Sequence, residues 1–331
     1  MTQPILDVVA IGNAIVDVIA QADDAFIAEH ALSKGGMQLI DAEFADLLYS
    51  QMGAAMEVSG GSAANTLAGL AALGKKCGFI GQTADDQLGQ VFAHDIRALG
   101  VTYTTAPASD GVPTARCLVL VTPDAQRTMN TFLGASQNLP AAALDADLIR
   151  SAGILYLEGY LWDPEEPRKA MRNAIDIARQ AGRKIAFTLS DGFVIERHRA
   201  DFQALIDQGL IDILFSNEAE IQALAQVQGF DKAVDAIASK VPLLVSTRSE
   251  KGAIAIQGGT RYEVYAAPVT EVIDTTGAGD LFAAGFLAAH VEGQPIEQCL
   301  KLGAVAAAEV ISHYGARPEA DLQVLRAKSG L

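Results

Sequence analysis

Asp274-Thr275-Thr276-Gly277-Ala278-Gly279-Asp280 leads straight into the apolar run Leu281-Phe282-Ala283-Ala284-Gly285-Phe286. The pattern predicts a loop that follows a strand-like approach and opens a buried helix. Two glycines around one small alanine let the backbone turn its N–H groups toward a common point, and the helix start adds the positive end of its dipole. Such a corner holds an anion. Phosphoryl transfer needs one, because negative charge spreads over the equatorial oxygens of the moving group and must be met by fixed donors. Asp280, at the rim, is placed to accept the proton of an attacking hydroxyl. The same residues also suit a plain helix start, with Asp280 as N-cap after a glycine turn.

Around this stretch, a chain of 331 residues, 50% hydrophobic and 19% charged, can bury a large core. Helix-like runs of Ala, Gly and Leu alternate with short β-branched stretches, which predicts a doubly wound α/β fold on a parallel sheet. Strands are expected at Leu6–Ile11, Cys77–Gly81, Ile154–Leu157, Lys184–Leu189, Ile211–Phe215 and Pro242–Ser246, with helices starting near Asp86, Pro164, Arg197, Glu218 and Phe230. Residues 252–257 and 261–266 read as a closing hairpin. Ligands collect beyond the carboxyl ends of such strands, where Gly159, Ser190, Asn217 and Thr247 fall. Ile15–Ala20, Met37–Ile40, Val101–Thr105 and Thr114–Thr122 have a different character and predict a small separate sheet. The expectation is one domain over 1–331, a β-sheet lid from about 13–40 and 101–132 that excludes water, and a nucleotide-binding part from about 190 to 331.

The formal net charge is −16 and no Lys/Arg cluster tracks a phosphate backbone, so nucleic acid is not an expected partner. Cys77, Cys117 and Cys299 stand apart without C-x-x-C spacing, which argues for reduced thiols. Met1–Asp7 lacks the pattern of a targeting segment and no apolar run is long enough to span a membrane; a soluble, cytoplasmic protein is expected. Neither G-x-G-x-x-G after the first strand nor G-x-x-x-x-G-K-[ST] occurs, and H-E-x-x-H and G-x-S-x-G are also missing. Dehydrogenase, P-loop, metal-hydrolase and serine-hydrolase readings drop out.

Further candidates lie along the chain. Asn13 and Asp17 follow the first strand on one face of an extended segment, an amide and a carboxylate that suit a polyol, although a straight strand sets them about 13 Å apart. Gly60 and Gly61 allow close backbone approach, and Asn65 sits in the first turn of the helix they open. Asn217 with Glu220 is either a ligand pair or a capping box. Arg127 is placed to reach phosphates across a cleft, and equally suits an ordinary surface position.

Asp274–Asp280 resembles the D-T-x-G-A-G-D signature of the ribokinase-like (PfkB-type) kinases. Gly12-Asn13 with Asp17 resembles the G-N-x-x-x-D start of the adenosine-kinase branch, and Gly60-Gly61-Ser62 with Asn65 its G-G-S-x-x-N motif, where ribokinases proper carry G-G-K-G-x-N. The resemblance implies an ATP-dependent transfer of the γ-phosphoryl group to a primary hydroxyl of a nucleoside, adenosine giving AMP, with a sugar such as ribose or fructose as the alternative. It implies Asp280 as base, the Gly277-Ala278-Gly279 amides as anion hole, and Asn13, Asp17, Gly60, Gly61 and Asn65 around the acceptor. It places Asn217, Thr247, Gly252 and Gly279 on the nucleotide, with Ser249 replacing the middle glycine of T-x-G-x-x-G. Glu220 would reach Mg²⁺ through water, and Asp274 with the carbonyls near Thr276 resembles a monovalent-cation site, for K⁺. Monomer and homodimer are both open, and a protein that binds without catalysis is the alternative of another class.

Overall fold

Within Leu6–Ile11, Val8 and Ala10 enter one apolar cluster while Val9 and Ile11 enter another, and all four are fully buried. A strand that is apolar on both faces must be covered on both, which makes this the middle of a layered α/β fold. The computed structural model describes residues 5–124 and 126–331; Met1–Pro4, within the Met1–Asp7 stretch read above as lacking a targeting pattern, and Ala125 of the expected 101–132 segment lie outside the described residues. The strands are β1 Leu6–Ile11, β2 Ile15–Gln21, β3 Met37–Leu39, β4 Ala55–Gly60, β5 Cys77–Ile80, β6 Thr102–Tyr103, β7 Ala115–Val121, β8 Arg127–Phe132, β9 Ala152–Glu158, β10 Lys184–Thr188, β11 Ile213–Asn217, β12 Leu243–Thr247, β13 Ala253–Gln257 and β14 Thr260–Val264.

The large sheet runs β14-β13-β12-β11-β10-β9-β1-β5-β6, parallel from β12 to β6, with β13 and β14 an antiparallel hairpin at its edge. Helices Ser62–Ala72, Ala278–Val291 and Ile296–Val310 cover one face, and Glu165–Gln180, Gly192–Asp207, Glu218–Ala225 and Phe230–Ala238 the other. The predicted doubly wound core is present. The small sheet runs β3-β8-β7-β2-β4. The chain passes from the large sheet to the small one at Gly12–Ala14, and leaves the small sheet at Gly60–Gly61 to enter the Ser62 helix. Both acceptor-side motifs therefore lie at crossings between the sheets.

Three expectations are corrected. Val101–Thr105 does not join the small sheet: β6 pairs with β5, because Tyr103 buries its ring against Phe79 and Phe92 and donates its hydroxyl to the Gly81 carbonyl at 3.0 Å. The small sheet instead recruits β4, whose sequence Ala-Met-Glu-Val-Ser-Gly carries a weak pattern because it is an edge strand, paired only with β2. The helix expected near Arg197 begins at Gly192, capped by Asp191, and is broken by the non-helical His198. Finally, residues 265–273 approach the signature without a strand and largely exposed.

Small residues set the helix spacing behind the signature. A Cβ on Gly69 would lie 2.6 Å from Leu281 Cδ1, so glycine there lets the Ser62 and Ala278 helices touch. Gly285 meets the Leu302 backbone with similar closeness on the other side. Leu281 through Ala289 are all buried as a result.

Candidate active site

Gly277 caps the Ala278–Val291 helix with φ of 78°, a left-handed conformation that glycine adopts without strain. No side chain caps the helix, and the Ala278 N–H is used by Thr275 O. The N–H groups of Gly279 and Asp280 are left to a ligand, at the positive end of the dipole. Asp280 lies in this first turn rather than at the cap. Its Oδ1 accepts from Ser62 Oγ at 2.6 Å and its Oδ2 from Asn65 Nδ2 at 3.4 Å. Burial pushes the Asp280 carboxyl up to about 6, against the hydrogen bonds from Ser62 and Asn65 and the charge of Arg317. A base in this range is largely ionised at neutral pH yet still basic enough to take a proton.

On the acceptor side, Asn13 turns inward. Its backbone N–H and Nδ2 both donate to Glu158 Oε1 at 2.6 Å, and its Oδ1 accepts from Ser136 Oγ at 2.8 Å. Glu158, wholly buried at the end of β9, also accepts from Ala63 N at 2.8 Å through Oε2. One carboxylate thus ties the β1–β2 crossing to the first turn of the Ser62 helix. Burial drives it up to about 7 despite these donors.

Asp17 sits on β2, half-buried and pushed up to about 6 by burial, with Arg317 and Arg127 opposing and the charges of Asp274 and Asp280 adding. A Cβ on Gly60 would stand 2.5 Å from Asp17 Oδ2, and one on Gly61 would strike the Asn13 carbonyl oxygen. Only glycines leave room for this carboxylate and crossing. Ile15 and Ile19 share Asp17's face of β2, in register with Ala115, Cys117 and Val119 of β7, so Asp17 stands in an apolar strip.

Asn217 and Glu220 form a complete capping box: Asn217 Oδ1 accepts from Glu220 N at 2.8 Å, Glu220 Oε2 accepts from Asn217 N at 3.0 Å, and Asn217 Nδ2 donates to Glu220 Oε1 at 2.6 Å. Burial pushes Glu220 up to about 7, with Asp191 and Asp280 adding. Thr247 ends β12 and Gly252 precedes β13, while Ser249 takes φ of 50°, the backbone a glycine would adopt. Asp274 is ion-paired with Arg127 of β8, both side chains under a tenth exposed, and accepts from Thr276 N, Thr276 Oγ1 and Gly315 N at 2.7–3.0 Å. Burial alone would raise the Asp274 carboxyl, but these donors and Arg127 hold it below its ordinary value.

The structure links Asp17, Gly60, Gly61, Asn65, Asp274 and Asp280 through contacts and mutual charge effects, with Asn13 packed against Gly61. Ser62, Ser136, Glu158 and Arg317 belong to the same network and were not singled out in the sequence. Ser62 stood inside a motif already noted; Glu158 had only its place at a strand's carboxyl end as a signal. Among the described residues no group of three or more His, Cys, Asp or Glu side chains is placed to hold a metal ion, and no helix is long and apolar enough to cross a membrane.

Comparison with known proteins bears on the fold and the family. The chain is similar to a solved adenosine kinase from Sinorhizobium meliloti, 46% identical with a TM-score of 0.90 over 98% of this chain and 99% of that one. It is equally similar to a solved "probable sugar kinase" from Rhizobium etli CFN 42, 46% identical with a TM-score of 0.92 over 99% of each chain. A 5-dehydro-2-deoxygluconokinase of Shouchella clausii (strain KSM-K16) is 29% identical over 77% of this chain and 81% of its own length. The pattern of the pfkB carbohydrate kinases matches residues 38–322, and the chain belongs to that family of ATP-using phosphotransferases with an alcohol acceptor.

Proposed function

We propose that this kinase transfers the γ-phosphoryl group of ATP to the primary hydroxyl of a nucleoside, with adenosine as the preferred acceptor and AMP as product. The observation that carries the chemistry is the Asp280 carboxylate, held by Ser62 and Asn65 beside the uncapped amides of Gly279 and Asp280. Asp280 takes the hydroxyl proton as the new O–P bond forms, and the bond from phosphorus to the bridging oxygen breaks to release ADP. The amides of Gly279 and Asp280 meet the charge on the moving group.

The nucleoside reading is supported by the apolar strip around Asp17, which suits a flat base beside a carboxylate that accepts from ribose hydroxyls, and by the similarity to an adenosine kinase over nearly the whole chain. A sugar acceptor is the second reading, favoured by the named sugar kinases among the relatives. We read the small sheet, now 13–40 with β4 and 115–132, as the cover over the acceptor, and about 190–331 as the nucleotide side with Thr247, Gly252 and Gly279.

Mg²⁺, when bound with ATP, would neutralise charge on the phosphate oxygens. Asn217 and Glu220 fit a contact through water, since their carboxylate and amide already satisfy each other and a directly coordinating cluster is lacking among the described residues. A monovalent cation does not fit Asp274, whose two oxygens are taken by Arg127, Thr276 and Gly315.

A coupled ADP-release assay across adenosine, other nucleosides, ribose and fructose tests the reading. Turnover of a sugar with none of any nucleoside would reject the acceptor. Asp280→Asn should lose about 100-fold or more in kcat while still binding ATP; near-normal turnover would reject the base.

A further inference from the structure

The segment after the last long helix closes on the site from below. The Ile311 carbonyl accepts from Ile273 N, Gly315 N donates to Asp274, and Ala316 lies where a Cβ on Gly277 would fall, 2.7 Å away. Arg317 then reaches back across the cleft and donates through Nε to Asn65 Oδ1 at 3.2 Å. Asn65 in turn donates to Asp280. This gives a line from guanidinium to amide to carboxylate whose three members come from three distant parts of the chain.

Arg317 Nη2 is buried and without a hydrogen-bond partner among the described residues. Burial pushes the guanidinium down to about 10, against the charges of Asp17, Asp95 and Asp280. The Asp280 charge raises the Asp17 carboxyl, and Arg317 lowers both. The Asp280 charge also raises the carboxyls of Glu158 on β9 and Glu220 and the hydroxyls of Tyr156 and Tyr160. Asp17 has Arg127 as a second cation, but Asp274 already engages that residue. Among the described residues, Arg317 is the cation that lowers Asp280.

We propose that Arg317 is a positioning residue of the transfer step: it fixes the Asn65 amide against the Asp280 carboxylate and supplies the positive charge that lets Asp17 and Asp280 be ionised together. The alcohol can then be held by one carboxylate and deprotonated by the other in the same complex. Without the guanidinium, one of the two retains its proton near neutral pH.

The test is the pH profile of kcat/KM for adenosine in wild type, Arg317→Lys and Arg317→Gln, with thermal melts as folding controls. Arg317→Gln should lose about tenfold or more near pH 6.5, recover much of it by about pH 8.5, and move its acid limb up by about one pH unit, with KM for ATP within about twofold. Arg317→Lys keeps the charge but not the fork, so its limb should stay while kcat falls about threefold or more. A parallel fall at every pH, an unmoved limb in Arg317→Gln, or wild-type rates in either variant overturns the role. If Arg317→Gln does not fold, a shifted limb or an unreduced kcat in Arg317→Lys still overturns it. The inference rests on Asp280 as base, so Asp280→Asn is assayed alongside. An active Asp280→Asn rejects that reading itself; an inactive one with an unmoved Arg317→Gln limb rejects only the role of Arg317.

Discussion

Ser62 Oγ donates to Asp280 Oδ1 at 2.6 Å across 218 positions of sequence. The bond exists because Gly69 lets the two helices touch, so that their first turns face each other. It favours the charged form of a carboxyl that burial pushes up to about 6. A base works when ionised, so activity should be present above that value and lost as pH falls through it. Ser62→Ala removes a donor to the charged form and should shift the acid limb of kcat/KM upward. The expected loss is about tenfold near pH 6, shrinking by about pH 8. Equal loss across the profile would mean that Ser62 only shapes the helix start.

Glu158 should govern stability as well as geometry. Its folded value of about 7 lies above the ordinary 4.5, so the folded state holds the proton more tightly. The contribution to stability is full below about pH 4.5 and disappears as pH rises through about 7. Glu158→Gln cannot titrate; the melting temperature of wild type relative to this variant should therefore fall between about pH 5 and pH 8. Glu158→Ala leaves the donors of Asn13 and Ala63 unmet and should cost about 3 kcal/mol or more in denaturant melts.

The buried Arg127–Asp274 pair joins the small sheet to the signature loop. With that carboxylate already neutralised, exchanging K⁺ for Na⁺ at constant ionic strength should change kcat by less than about twofold. A large K⁺ activation would show that the guanidinium is displaced in the working enzyme. Arg127→Ala strands a buried charge and should destabilise by about 3–5 kcal/mol, read from chemical denaturation.

The layered core was legible because β1 and the strands from β9 to β12 are continuous apolar runs, and local composition alone marks such strands. The signature loop was legible for a similar reason: its glycines and Asp280 are neighbours in sequence. What stayed hidden is what depends on tertiary contact. Asn13 seemed to face a ligand, but its amide is bound by Glu158, which lies 145 residues away. Thr102–Tyr103 looked like lid because it is short and β-rich; the aromatic contacts of Tyr103 decide its sheet. Nothing near Arg317 in sequence marks it, because its meaning comes only from Asn65, Asp17 and Asp280.

The two glycines of the signature should fail in different ways when enlarged. Gly277 holds φ of 78°, and a Cβ there would lie 2.7 Å from Ala316, so Gly277→Ala is strained by its backbone and crowded by the C-terminal segment. It should lower stability by about 1–3 kcal/mol and lower kcat by tilting the amides. Gly279 has no protein atom within 4 Å of a built Cβ and is not left-handed. Gly279→Ala should therefore leave the melting temperature close to wild type, since the helix accepts alanine readily. The new methyl would project toward the side where phosphate oxygens approach the amides, and kcat/KM for ATP should fall about tenfold or more. Loss of stability in Gly279→Ala without loss of rate would place the nucleotide elsewhere. The pair thus separates the two requirements of the turn, its own folding and its grip on an anion.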